Sequence, residues 1–201
     1  MHLAIDRDEP ESWLLYRVAD ALKDGKVIAL PTDTGYGFAC DILNRQATEK
    51  LYRLKGMDKQ KLLSILVPDI QTAAHYTAGI PNTAFRIMRR ALPGPYTFIL
   101  RASKEIPRTL LTKQRTIGIR IPDSPLIIAL GEQFERAILI SSVPGDDDQA
   151  SHDPHSIELE YRDLDLVVDS GILPLQPSTI LDLTGSEPVV LREGAGSLDV
   201  L

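Results

Sequence analysis

Between residues 30 and 41 the chain reads LPTDTGYGFACD, placing Thr32, Thr34 and Tyr36 beside Asp33, Gly35 and Gly37 at the mouth of an apolar run. Short hydroxyls offer neutral hydrogen bonds, and bare backbone lets a ligand come close. Polar sets of the same character recur downstream. KGMDKQKLLS carries Lys55, Lys61 and Ser64, GIRIPD carries Arg120, and ISS carries Ser141 and Ser142. QPSTI then brings Ser178 and Thr179, and LREGAG brings Arg192 beside Gly194 and Gly196. Arginine makes forked contacts to carboxylate or phosphate. Together these groups describe a pocket for a polar, anionic small molecule, expected where the carboxyl ends of strands meet in an open α/β sheet. Taken singly, each has a plainer role: Thr32 as a turn residue, Arg120 as a surface cation, Gly194 as a loop hinge.

Familiar phosphate and nucleophile motifs do not account for the pattern. GYGFAC approaches the dinucleotide fingerprint G-x-G-x-x-G, but Cys40 stands where the third glycine belongs and the next helix starts only near Asn44. Neither G-x-x-x-x-G-K-[ST] nor G-x-S-x-G occurs. His152 and His155, three apart and beside Asp153, have a spacing that could ligate a metal, but a solvated acidic loop (GDDDQASHDPH, 145–155) is the simpler reading. No metal site is assigned. His2 and His75 show no partner in the sequence, so histidine catalysis is not indicated.

The elements that must position these groups alternate along the chain. Trp13, Leu14, Val18, Ala21 and Leu22 recur at helical spacing between Asp8 and Pro10 upstream and a stop at Gly25. VIALPT (27–32) reads as a buried strand and NRQATEKLYRLKG (44–56) as a helix that delivers Lys50, Arg53 and Lys55 from its last turn. LLSILV (62–67), YTFILRA (96–102), TIGIRIP (116–122), AILISS (137–142) and LDLVVD (164–169) are strand-like, while PNTAFRIMRRAL (81–92) and SPLIIALGEQF are helical. STILDLT and PVVLRE form a closing strand pair around Gly185. The alternation indicates a layered α/β sheet, mixed because the last two strands are joined by a short turn. No repeat or low-complexity linker divides residues 1–201, which read as a single domain.

Composition narrows the setting. A chain of 201 residues can bury a large core without disulfides, and Cys40 is its only cysteine, which rules out an internal disulfide or a multi-thiolate zinc site. The first residues are acidic and no apolar run approaches about 20 residues, so the expectation is a cytoplasmic protein without an export signal or membrane span. Net charge is −6 but unevenly spread. Residues 41–120 hold 15 Lys/Arg against 5 Asp/Glu, and residues 121–201 hold 3 against 16. Such asymmetry suits an anionic ligand or a polynucleotide on one surface, although two solvated faces of opposite sign would produce it too.

VIALPTDTGYGFACD, LYRLKGMDKQKLLSILV, TIGIRIPDSP and PSTILDLTGSEPVVLREGAG together resemble, over nearly the whole chain, the YrdC/YciO-like proteins of the threonylcarbamoyl-AMP synthase superfamily. ALPGPYTFILRAS (91–103) and the compact ending lean toward the YciO-like branch. The resemblance implies an α/β twisted open mixed sheet with flanking helices and a concave basic cavity. It further implies a synthase that couples L-threonine, bicarbonate and ATP with Mg²⁺, in which carboxylated threonine attacks the α-phosphate and pyrophosphate leaves. By the same resemblance Lys55 would meet the ATP phosphates and Arg120 the threonine carboxylate, these two being the catalytic pair. Thr32, Thr34, Tyr36, Ser141, Ser178 and Thr179 would bind substrate, and Lys61, Ser64, Ser142, Arg192 and Gly194 the nucleotide. Double-stranded RNA or tRNA is the implied macromolecular partner.

Two motifs depart from the synthase pattern. Its Lys-x-Arg reads Lys55-Gly56-Met57 here, and its Ser-x-Asn reads Ser142-Val143-Pro144. Each charge-assisted hydrogen bond lost costs about 1.5–3 kcal/mol. An RNA-binding protein without synthase activity is therefore the alternative to an enzyme of tRNA modification.

Overall fold

The computed structural model describes residues 1–56, 63–111, 113–144, 152–174 and 176–201. One ten-stranded sheet runs through them. In chain order its strands are β1 (His2–Ala4), β2 (Ile28–Thr32), β3 (Gly35–Asp41), β4 (Ser64–Leu66), β5 (Tyr96–Arg101), β6 (Thr116–Arg120), β7 (Ile138–Ser142), β8 (Leu166–Asp169), β9 (Thr179–Asp182) and β10 (Val189–Arg192). The described helices are α1 (Ser12–Lys23), α2 (Arg45–Lys55), α3 (Ile70–His75), α4 (Asn82–Ala91), α5 (Pro125–Phe134) and α6 (Pro154–Glu160). Across the sheet the order is β1-β8-β2-β3-β7-β4-β6-β5-β9-β10. Parallel pairs (β1 with β8, β2 with β8, β4 with β6, β5 with β9) mix with antiparallel ones, as expected of a mixed α/β sheet.

Strand alternation divides the core in two. On β2, Val27 and Ala29 point to one apolar cluster while Ile28 and Leu30 point to the other. The second cluster is closed by α1 and α5, through Val18, Leu22, Leu126 and Leu130. Each of these fully buried side chains contributes about 1.5–3 kcal/mol of transfer free energy. On the first face, α2 and α4 pack Leu51, Ile87 and Met88 against Phe38, Phe98, Ile117 and Ile119. Beyond α1 and α5, a pocket lies over the face of the second cluster, lined by residues of β3, β7, β4, β6, β5, β9 and β10.

Several expectations need correction. GYGFACD is not a polar strand exit: it is β3, buried at every residue and paired antiparallel with β2 from Ile28↔Ala39 to Thr32↔Gly35. Asp33 and Thr34 form the two-residue loop, and Gly35 takes φ +110°, open only to glycine without strain. Trp13 is 60% exposed, because the buried stripe of α1 runs through Leu14, Leu15, Val18, Ala19, Ala21 and Leu22 and leaves Trp13 to one side. β1 and α3 have no counterpart in the sequence reading. The acidic loop ends sooner than expected, since Asp153 caps α6 by accepting from the His155 N–H at 3.0 Å.

β10 closes one edge of the sheet. Among the described residues it pairs with β9 alone, its register shifts between Val190 and Arg192, and Val189, Val190 and Leu191 are exposed. Among the described residues no helix is long and apolar enough to cross a membrane.

Candidate functional site

A cavity of about 460 Å³ opens on the uncovered part of the sheet face, within the range of small-molecule sites. Sheet residues without bulk make room for it. Gly37 and Gly118 point no side chain into it; a Cβ at Gly37 would meet Ile140 Cγ1 at 2.6 Å, and one at Gly118 would meet Ser64 Oγ at 2.5 Å. Its lining brings Tyr36, Lys55, Ser64, Arg120, Ser141, Ser142, Ser178 and Arg192 together, although they span more than 150 positions of sequence. The expectation that these groups meet at strand carboxyl ends holds for Arg120, Ser141, Ser142 and Arg192. Ser64 opens β4, Ser178 precedes β9 and Ile140 sits within β7, so the hollow spreads across the face of the sheet.

Lys55 is placed by the geometry of α2. Asn44 caps the helix by accepting from the Ala47 N–H at 2.9 Å, and Gly56 ends it in the left-handed region at φ 60°. From this last turn the Lys55 ammonium donates to Ser141 Oγ at 2.6 Å, to the Ser142 carbonyl at 2.7 Å and to Ser142 Oγ at 3.0 Å. Helix end and strand end are thus tied by one cation.

Arg120 ends β6. Its Nη2 donates to Asp33 Oδ1 and to Thr34 Oγ1, both at 2.7 Å, and Asp33 Oδ2 accepts the Asp123 N–H at 3.2 Å. Burial pulls the Arg120 pKa below its ordinary value; Asp33 acts in the opposite sense and the charge of Arg192 adds to the lowering. An arginine remains cationic under such a shift. Its Nε is buried with no acceptor among the described residues. On the far side, Arg192 donates through Nε to the Ser178 carbonyl at 2.9 Å and through Nη2 to Ser178 Oγ at 3.0 Å. Ser178 Oγ also shares a 2.8 Å bond with Thr97 Oγ1, and desolvation lowers the Arg192 pKa as well.

Other candidates hold the frame. Thr32 Oγ1 donates to the Gly35 carbonyl at 2.7 Å and stabilises the β2–β3 turn. Thr34 reaches the site through Arg120. Tyr36 borders the cavity as a residue of β3, but its ring lies in the first apolar cluster, where its hydroxyl donates to the Gly171 carbonyl at 2.8 Å and accepts the Ser170 N–H at 3.0 Å. Burial pushes that hydroxyl up to about 12, so it stays a neutral donor. Thr179 Oγ1 donates to the Gly196 carbonyl at 2.7 Å and accepts the Gly194 N–H at 2.9 Å, behind the lining. Gly194 packs against the backbone of Pro177 and Ser178, where no side chain fits. Lys61 and Met57 lie outside the described residues. Pro144 is described, and its carbonyl accepts from the Tyr161 hydroxyl at 3.3 Å.

Asp33 and Thr97 were missed by sequence reasoning. Asp33 stood inside the quoted motif, and a buried arginine's need for a carboxylate was the signal that could have singled it out. Thr97 sits in an apolar strand, and nothing in YTFILRA marks it.

Comparison with known proteins agrees with this architecture. The family model of Sua5, YciO and YrdC, described as telomere recombination, matches residues 20–194. The uncharacterized protein YciO of Escherichia coli (strain K12) is 37% identical over 199 residues, covering 96% of this chain and 95% of that protein. Its crystal structure superposes with a TM-score of 0.94 at 33% identity, over 100% of this chain and 98% of that one. The threonylcarbamoyl-AMP synthase of Pyrococcus abyssi is 28% identical over 195 residues, covering 96% of this chain but 57% of the synthase. The P. abyssi Sua5 structure complexed with L-threonine matches at a TM-score of 0.88 and 27% identity, over 96% of this chain and 57% of that one.

Proposed function

Since the chain belongs to the Sua5/YciO/YrdC family, we propose that its sheet-face cavity binds an adenylate of the threonylcarbamoyl-AMP class, formed from or returned to ATP, L-threonine and bicarbonate in tRNA modification. The observation that carries this is the convergence of three cations, Lys55, Arg120 and Arg192, on one pocket, with the Arg120 guanidinium held in place by Asp33 and Thr34. Such a set suits a carboxylate and phosphates. Arg120 holds the threonine carboxylate, a reading supported by the relative solved in complex with L-threonine. Lys55 and Arg192 flank the phosphates from opposite sides.

Adenylate formation at a phosphorus centre needs alignment and charge neutralisation more than a covalent nucleophile, and this lining supplies cations and hydroxyls. Carboxylated threonine attacks the α-phosphorus through its carbamate oxygen, and the bond to pyrophosphate breaks. Lys55 steadies the charge that moves onto the leaving group. Mg²⁺ is a poor fit to the protein groups alone, because the described lining offers hydroxyls and cations but no carboxylate. It would come with the nucleotide phosphates, and no step is assigned to it. The test is pyrophosphate release with ATP, threonine and bicarbonate; product no greater than that of Lys55→Ala rejects synthesis, and threonylcarbamoyl-AMP breakdown measured in parallel separates the hydrolytic direction from simple binding.

A second reading, an RNA-binding protein without synthase activity, is favoured by the exposed cations. α4 exposes Arg86, Arg89 and Arg90, and Arg101, Lys104, Arg108, Lys113 and Arg115 are exposed further along. These residues are the side chains that would neutralise phosphates of double-stranded RNA or tRNA.

A further inference from the structure

Away from the cavity, at the opposite edge of the sheet, His2 of β1, His155 of α6 and Asp169 of β8 bring their ligand atoms within 4.8 Å of one another. We propose that these three residues bind a divalent transition ion of the zinc type, which fastens the β1 edge to α6 and β8. His2 Nε2 faces Asp169 Oδ2 at 2.6 Å, and its other nitrogen, Nδ1, faces Glu158 Oε2 at 3.0 Å. A metal-bound histidine requires this second contact: the outer carboxylate takes the Nδ1–H, fixes the tautomer and turns Nε2 toward the ion. Asp169 is oriented too, because its Oδ1 accepts the Gly171 N–H at 2.7 Å; the ion takes the place of the proton between His2 Nε2 and Asp169 Oδ2, that proton leaving to solvent and the 2.6 Å contact opening.

The His155 ring stacks on that of His2, with centroids 4.9 Å apart and planes 11° from parallel. An imidazole coordinates in its own plane, so His155 must turn about its side-chain bonds to complete the site. It is exposed at the second residue of α6, and the turn exchanges its stacking on His2 for the metal bond. Two imidazoles and a carboxylate at about 2.0–2.2 Å from the ion make a three-ligand zinc set, with a fourth position for water. His152, the partner that sequence spacing offered to His155, is not part of this cluster.

The ion would also steady the turn that Asp169 holds, whose Gly171 carbonyl accepts the hydroxyl of Tyr36. Zinc titration of the untagged, metal-stripped protein by calorimetry, with Co²⁺ absorption reporting geometry, tests the proposal. One saturable site and a tetrahedral Co²⁺ spectrum are expected, with affinity at least about tenfold weaker in His155→Ala and His2→Ala and about 10–100-fold weaker in Glu158→Gln. His155→Ala changes an exposed side chain, and circular dichroism confirms that it folds. Absence of one-to-one binding in the parent protein, or equal affinity in His155→Ala, overturns the site and leaves a histidine held between two carboxylates.

Discussion

Arg120 and Asp33, 87 positions apart in the chain, are joined by a 2.7 Å ion pair with Asp33 only 9% and Arg120 only 12% exposed. Breaking a buried pair from one side leaves an uncompensated charge, which costs about 3–5 kcal/mol. Asp33→Ala is expected to lower stability by that order in denaturant titration and to weaken threonine binding by calorimetry. Asp33→Asn keeps a hydrogen-bond acceptor and restores part of both. Equal threonine affinity in all three proteins would show that Asp33 does not position Arg120.

Lys55 joins α2 to the end of β7 through three contacts. Lys55→Ala is expected to weaken ATP binding about tenfold to hundredfold, the loss of one charge-assisted hydrogen bond of about 1.5–3 kcal/mol. Threonine affinity should change less, because Arg120 keeps its anchors. Fluorescent-nucleotide titration beside threonine calorimetry checks the split.

Gly37 pairs with Ser142 in the β3–β7 ladder and lies diagonal to Ile140. A methyl group there meets Ile140 Cγ1 at 2.6 Å, and Ile140 is buried at 2% exposure. Overpacking of this kind costs about 1–3 kcal/mol. Gly37→Ala should therefore lower the thermal midpoint and, by pushing Ile140 into the cavity, reduce ligand affinity as well. Unchanged melting would mean that the two strands shift apart freely.

Thr179 has no exposed surface and holds both Gly194 and Gly196. Thr179→Val leaves a buried N–H and a buried carbonyl without partners, a loss of roughly 2–4 kcal/mol. Thr179→Ser should recover most of it. Guanidinium titration of the pair gives the comparison.

Binding to double-stranded RNA, if it runs through the exposed cations of α4, must fall steeply with salt as counterions are released. Replacing Arg86 and Arg89 together by glutamine should lower affinity and flatten the salt slope by about two phosphate contacts. Affinity that is indifferent to salt removes the second reading.

The sequence disclosed the fold unevenly, for physical reasons. α1, α2, α4 and α5 show themselves because each buries one stripe, and β5, β6 and β7 because their runs are rich in branched and aromatic residues. β3 stayed hidden since Gly35, Gly37, Ala39 and Cys40 lack the branched side chains that mark strands. β1 and α3 are too short for periodicity. The candidate site was legible in its cations and hydroxyls, which are rare beside apolar runs. Which of them face the cavity was not, because Thr32 and Thr179 turn to backbone partners set by strand pairing far away in sequence.

β10 supplies Leu191 and Arg192 to the cavity wall and has a sheet neighbour on one side only. The lip that carries Arg192 thus rests on a short ladder with a slipped register, on the two Arg192 bonds to Ser178 and on the grip of Thr179 on Gly194 and Gly196. Arg120 ends a strand flanked on both sides. The hollow is therefore asymmetric, one arginine planted in the interior of the sheet and the other on its outermost strand.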